Sequence, residues 1–336
     1  MKYISRLLLA ALLLPLFTSC EVEFSPNADW KNVPVVYCLL DQDDDTSWVR
    51  VERCHLSSEG VYAHGMNPDS INYREGEITV SILAYEGDQL RDSIPFAYTL
   101  RQRDSGAFAG GMQPIYYAET RGRLMDNYDY FLSIRKADGT KLASSSAVRL
   151  IHYDNRNRLF SYMKNDKFGF YEISGNSSAN CRMTWNLLPN ARLYQPVIRF
   201  YYAVNGERRY VDIPCPRKTP DYNAASAEIY YPRSVFLADL RTALLPDTAS
   251  RKEYLKRVDI YLTCCTEDLN AYLSTVNAVA DLTQGRESYC NIEGGVGLFA
   301  ARRTHLFSSY PADESQVENS GLYYFLQNLG VGLYLP

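Results

Sequence analysis

The residues best equipped for chemistry are the carboxylates of DQDDDTSWVRVE. Asp41, Asp43, Asp45 and Glu52 fall at positions 1, 3, 5 and 12, the spacing by which one type of Ca2+-binding loop presents its oxygen ligands. Thr46 stands where such a loop carries its turn glycine, and the flanking runs read as strands rather than helices. The favoured reading is therefore a solvated hairpin tip, with a Ca2+ site through these four carboxylates as the alternative. The four histidines (His55, His64, His152, His305) are scattered and make no H-E-x-x-H pair, which argues against a zinc hydrolase. Cys54 and His55 are neighbours in a strand-like run and would point to opposite faces, the wrong arrangement for a nucleophile and its base. GAFAGG and EGGVG lack the strand–turn–helix setting of a phosphate loop and read as turn or bulge glycines. No catalytic set emerges, so a non-enzymatic protein is expected.

Tyrosine is the other chemical resource. The chain has 28 Tyr against 13 Phe and 3 Trp, a bias that suits half-buried pleated surfaces. Adjacent pairs at Tyr116–Tyr117, Tyr201–Tyr202, Tyr230–Tyr231 and Tyr323–Tyr324 would each place one ring inward and one outward in a strand. Outward Tyr and Trp could stack on sugars or form a protein interface.

Cys20 has a different chemistry. Lys2 and Arg6 precede an apolar run from Leu7 to Phe17, and Thr18 and Ser19 lead into Cys20. The run covers roughly half of the ~30 Å hydrocarbon core, so it reads as a signal peptide over 1–19. The end resembles the lipobox of bacterial lipoproteins, although Phe17 departs from the usual Leu. The resemblance implies lipid on the Cys20 thiol, cleavage before it, and a tether over 20–32. Acyl chains contribute about 0.8 kcal/mol per buried methylene, enough to anchor a protein without a spanning helix. The seven other cysteines (Cys38, Cys54, Cys181, Cys215, Cys264, Cys265, Cys290) show no metal-type spacing and read mainly as small buried hydrophobes. Cys38 and Cys54, in successive strand-like runs, could face each other. A net charge of −4 without a long basic run argues against nucleic acid.

The elements that position these groups are mostly strands. Val33–Leu40, Trp48–His55, Glu77–Tyr85, Ile94–Leu100, Pro114–Thr120, Tyr128–Lys136 and Lys141–Leu150 alternate or run apolar between turn residues. They predict a β-sandwich over 33–150. Leu124 six residues before Tyr130 resembles the tyrosine corner of immunoglobulin-like and fibronectin type III folds. A polar stretch near 150–165 predicts a boundary to a second β-rich domain over 165–336. There Trp185 and Tyr194 resemble the core Trp and strand-opening Tyr of the same folds. Pro196 points to an edge strand or a bulge, and Pro214–Pro232 to a surface loop. Thr266 with Glu267 and Asp268 predicts the start of a helix near 266–280. The apolar C-terminal run reads as tucked into the core. The fold class is therefore mainly β, with immunoglobulin/fibronectin-like sandwich modules and a small α/β C-terminal part.

The lipobox, PVVYCLLDQDDDTSWVRVERCHL, TWNLLPNARLYQPVIRFYY, EDLNAYL and NIEGGVGLFAARR together resemble an uncharacterised family of Bacteroidetes cell-envelope lipoproteins. The likeness runs over most of the chain after Cys20. Its members are often associated with TonB-dependent receptors. The resemblance implies an outer-membrane lipid anchor, on the periplasmic face or cell surface. It also implies an accessory or binding role beside a barrel or receptor protein, and it carries over no catalytic residue. A surface carbohydrate- or peptide-binding lipoprotein using exposed Tyr and Trp is the alternative.

Overall fold

The computed structural model describes residues 33–54, 68–103, 110–153, 161–162, 168–173, 176–277, 289–311, 325–326 and 329–334. Cys20 and its tether, His55, His64 and the Tyr323–Tyr324 pair lie outside them. The first strands are β1 (Pro34–Asp41), β2 (Thr46–Arg53), β3 (Ile78–Glu86), β4 (Gln89–Arg103) and β5 (Gly111–Glu119), with a short helix α1 (Pro68–Ile71) before β3. Then come β6 (Asp129–Lys136), β7 (Lys141–Ser145), β8 (Val148–Arg149), β9 (Ser161–Tyr162), β10 (Tyr171–Ile173) and β11 (Asn176–Asn186). Next are β12 (Leu193–Val204), β13 (Glu207–Pro214), β14 (Ser226–Pro232), helix α2 (Arg233–Leu244) and β15 (Lys252–Cys265). Helix α3 (Glu267–Asn277), β16 (Ile292–Glu293), β17 (Val296–Pro311) and β18 (Leu333–Tyr334) close the chain. The protein is thus mainly β.

A mixed sheet of 14 strands runs β13-β12-β15-β17-β1-β2-β5-β4-β3-β6-β7-β16, with β18 beside β15 and β8 beside β6. A smaller sheet of 4 strands orders β10-β11-β14, with β9 also on β11. Two strands carry the long sheet from one region to the next. Along β4 the partner changes from β3, at Phe96 opposite Val80, to β5, at Ala97 opposite Tyr117. The first half of β17 lies parallel to β1 (Val296 opposite Val35), and the second half lies antiparallel to β15.

The period-2 alternation explains the two cores. Ile78, Val80, Ile82 and Ala84 of β3 are buried with Val36, Cys38 and Leu40 of β1 and with Tyr130, Leu132 and Ile134 of β6. A second core joins Trp185, Ile198, Phe200, Ile260 and Leu262 to Phe236, Leu240 and Leu244 of α2. Leu326, Leu329 and Val331 pack there too, so these described residues of the C-terminal run are tucked in. Full burial of such a side chain contributes about 1.5–3 kcal/mol, against about 0–1 kcal/mol for a surface ion pair. The cores therefore dominate stability. Residues 292–301 lie in sequence between parts of the second core, yet Ile292, Phe299 and Ala301 complete the first.

Glycine makes that crossing possible. At Gly297 φ is +127°, and a Cβ would land on the carbonyl of Val36. At Gly295 a Cβ would come within 2.7 Å of the Pro34 oxygen. Only residues without a side chain let β17 approach β1 this closely.

Three local expectations need correction. Pro196 lies in an interior strand, β12, between β13 and β15. Its carbonyl accepts from Cys215 N at 2.9 Å, so its donor-less nitrogen also faces the side where the β13 ladder has ended. Gln195 Nε2 supplies the missing donor, reaching Cys215 O at 2.9 Å. Residues 226–232 form β14 rather than a loop, because Ala227, Ile229 and Tyr231 alternate into the core. Tyr201 and Tyr202 are both buried. A bulge falls between Phe200 and Tyr202, and the Tyr201 ring is covered by Arg208 at 4.1 Å.

Two buried tyrosines return to the backbone that precedes them. Tyr130 Oη accepts from Met125 N at 2.6 Å and donates to Met125 O at 3.1 Å, beside buried Leu124. Tyr194 Oη accepts from Leu188 N at 2.8 Å, and its ring lies 5.8 Å from that of buried Trp185. Both follow a Leu by six residues, in LMDNYDY and LPNARLY.

Burial pushes the Tyr37, Tyr130, Tyr201 and Tyr202 hydroxyls up to about 12, aided at Tyr201 and Tyr202 by hydrogen bonds to Asp259 and Asp247. A raised folded value means that stability is complete below the ordinary tyrosine value near 10 and is lost as pH climbs toward 12. Tyrosinate absorbance should therefore rise in two steps, and the second should coincide with loss of circular dichroism. A single step near pH 10 with the fold intact would refute this.

Candidate binding surface

The acidic turn does not assemble the oxygen set of a Ca2+ loop. Asp41, 7% exposed, accepts from Arg302 Nε at 2.9 Å and from the Asp43 backbone at 3.1 Å. Asp43 faces Arg303 at 3.4 Å, and Asp45 accepts from both Nε and Nη2 of Arg121, which lowers its pKa. Glu52 sits at the far end of β2, paired with Arg103 at 3.1 Å. The physical reason is the hairpin: at about 3.3 Å per residue, an extended β2 carries Glu52 away from the turn. Among the described residues, no three His, Cys, Asp or Glu side chains are gathered for a metal. Removing the buried carboxylate in Asp41→Ala should cost about 1.5–3 kcal/mol, whereas Asp45→Ala should leave the urea midpoint near that of the parent. Added Ca2+ or a chelator should shift neither midpoint; a Ca2+-dependent rise would reinstate the loop.

Nor do the buried cysteines offer a nucleophile. The seven described thiols are all free. Cys38 faces Val49, while Cys54 N bonds to Val33 O at 2.8 Å, so the two stand roughly 16 Å apart along the hairpin. Burial pushes Cys181 and Cys264 up to about 12 and Cys265 to about 11, leaving almost no thiolate at neutral pH. His152 pairs with Asp126 at 2.5 Å, and His305, opposite Leu262 in the β15–β17 ladder, stacks at 4.0 Å on Tyr153.

What the fold does gather is an aromatic and aliphatic surface on the outer face of β1, β2 and β5. The inward residues of these strands fill the core, and the outward ones are also large: Tyr37 and Leu39 on β1, Trp48 and Arg50 on β2, Ile115 and Tyr117 on β5. Trp48 lies 5.6 Å from Tyr117 with rings tilted 33°, and the Arg101 guanidinium covers Trp48 at 4.3 Å. Tyr37 remains 41% exposed. Tyr37, Leu39, Trp48, Arg50, Ile115 and Leu298, with Leu269 of α3, line a groove of about 340 Å³.

Helix α3 forms one wall, and side chains fix it there. Thr266 sits at the N-cap position, since its carbonyl accepts from Asn270 N at 3.1 Å. Its hydroxyl, however, accepts from Ala301 N at 3.2 Å, tying the helix start to β17. Asp268 takes the Tyr289 hydroxyl at 2.6 Å and Asn291 Nδ2 at 3.1 Å, and Asn291 also bonds both backbone groups of Phe299. Tyr272 then meets Tyr37 edge-on at 6.1 Å.

A larger hollow of about 470 Å³ lies over Leu83, Tyr85 and Phe131. Several of its polar groups are already engaged: Lys141 reaches Glu293 at 2.6 Å, with Ser144 on the same carboxylate, and Arg135 donates to Gly139 O. The Arg50 side chain has no such partner among the described residues. Trp185 and Tyr194 are wholly internal and cannot present themselves to a ligand. Of the groove residues, Tyr37, Trp48 and Arg50 were not singled out from sequence, although strands bulky on both faces signal a covered or binding outer face. Comparison with protein-family models and with curated proteins yields no match, so the functional reading rests on this geometry.

Proposed function

We propose that the chain is a lipoprotein held to the outer membrane through lipid on Cys20, a non-enzymatic accessory or binding subunit of an envelope complex of the receptor or transport type. In this reading the two hydrophobic cores are immunoglobulin-like β-sandwich modules; the hydroxyl-to-backbone bonds of Tyr130 and Tyr194 support it. The observation that carries the binding role is the outer face of β1, β2 and β5, where Tyr37, Trp48 and Tyr117 sit among arginines. Tyr, Trp and Arg are the residues that dominate interface energetics.

The test is a gentle-detergent pull-down of the native lipoprotein from its own membrane, followed by mass spectrometry, alongside Trp48→Ala. A stoichiometric barrel or receptor partner that weakens with Trp48→Ala supports the accessory reading. Recovery of the intact, lipidated protein alone overturns it. The second reading, a carbohydrate- or peptide-binding surface protein, draws on the same exposed rings and predicts capture on a glycan or peptide array in place of a protein partner.

A further inference from the structure

We infer that the groove between α3 and the β1-β2-β5 face takes a small amphiphile with a single anionic head, seated with that head on Arg50 and its apolar body against Tyr37, Leu39, Trp48 and Leu298. This deepens the binding-face reading and rests on it.

The argument begins with charge. Arg50 stands directly opposite Tyr37 in the β1–β2 ladder, half-buried at the groove. Elsewhere on the sheets, arginines in comparable positions grip carboxylates: Arg199 holds Asp212, Arg182 holds Glu228 and Arg149 holds Asp129. Acidic groups near the groove are taken by others. Glu52 pairs with Arg103, Glu267 with Arg192 at 3.2 Å, and Asp268 with Tyr289 and Asn291. A half-buried cation beside an apolar lining, with its neighbouring anions already engaged, is complementary to an anionic head on an apolar body.

Shape narrows the occupant. The groove is closed on one side by α3 through Leu269 and Tyr272, and bordered on the other by the Arg101–Trp48–Tyr117 stack. Its volume of about 340 Å³ lies at the lower end of small-ligand sites, roughly 300–1,000 Å³. That suits one short chain with one head group rather than a long peptide. A carboxylate or a monophosphate ester would serve equally as the head.

The full-length chain in phospholipid nanodiscs is labelled with a photoactivatable decanoate, and cross-links are mapped by mass spectrometry. The expected labels fall on β1, β2 and α3. Decanoate should displace the label roughly tenfold better than decanol, the value of a charge-assisted bond, and decyltrimethylammonium should displace it least. Arg50→Gln should erase the preference for decanoate over decanol, and Arg50→Lys should retain much of it. Trp48→Leu should weaken all three competitors together. Labelling away from the groove, or equal displacement by decanoate and decanol, would overturn the inference. So would a decanoate preference that survives Arg50→Gln. The pull-down separates the two levels: a recovered partner without groove labelling removes the amphiphile and keeps the accessory role, whereas groove labelling without a partner does the reverse.

Discussion

Alanine at Gly297 should cost roughly 2–5 kcal/mol, the combined cost of a backbone region that side chains avoid and of overpacking. The added Cβ has nowhere to go, because it meets the backbone of Val36 and not a side chain that could rotate aside. To relieve the clash, β17 must leave β1, and Phe299 and Ala301 then leave the first core with it. Gly139→Ala is the control: φ is +83° there, but a Cβ meets nothing within 4 Å. Urea unfolding followed by circular dichroism should show a far lower midpoint for Gly297→Ala than for Gly139→Ala. Similar midpoints would mean that the two strands do not approach so closely.

The second large effect concerns the two tyrosine hydroxyls. Tyr130→Phe and Tyr194→Phe keep the rings and remove only the oxygen that serves the Met125 or the Leu188 amide. Tyr194→Phe strands the buried Leu188 N–H and should cost about 1–3 kcal/mol, with Tyr130→Phe, whose Met125 N–H is only part-buried, toward the lower end. The two sites belong to separate cores, so the double variant should be additive to within about 0.5 kcal/mol. A loss near zero would show that water reaches those amides. Strong non-additivity would show that the cores communicate through the sheet.

Much of the local structure was legible because it is local. The alternation of EITVSILAY marks β3 almost to its ends, and Thr266 with two acids marks the start of α3. The Leu-to-Tyr spacing points to hydroxyls that bond back to the chain just upstream. Long-range pairing was hidden. Nothing in PVVYCLLD announces a parallel partner more than 250 residues later, since register arises from which faces must be buried together. Pro196 misled because its cost depends on whether a neighbour needs its N–H, and Gln195 removes that need. The Ca2+ alternative at the acidic turn depended on distant neighbours in the same way. Its spacing describes ligands along a chain, whereas Arg302, Arg303, Arg121 and Arg103 arrive from elsewhere in the fold to occupy them. The groove went unseen because it needs β1, β2, β5, β17 and α3 at once.

The position of β1 also has a mechanical side. The segment that leads to the proposed membrane anchor enters the fold at Pro34, and β1 is held laterally by β2 on one side and by β17 on the other. A pull from the membrane therefore runs lengthwise along β1. Both ladders take that load in shear, with many hydrogen bonds sharing it, instead of opening one pair at a time as in an unzipping hairpin. A protein moored at this point would tolerate drag on its body well, with the bare backbone of Gly297 packed against Val36 inside the loaded ladder.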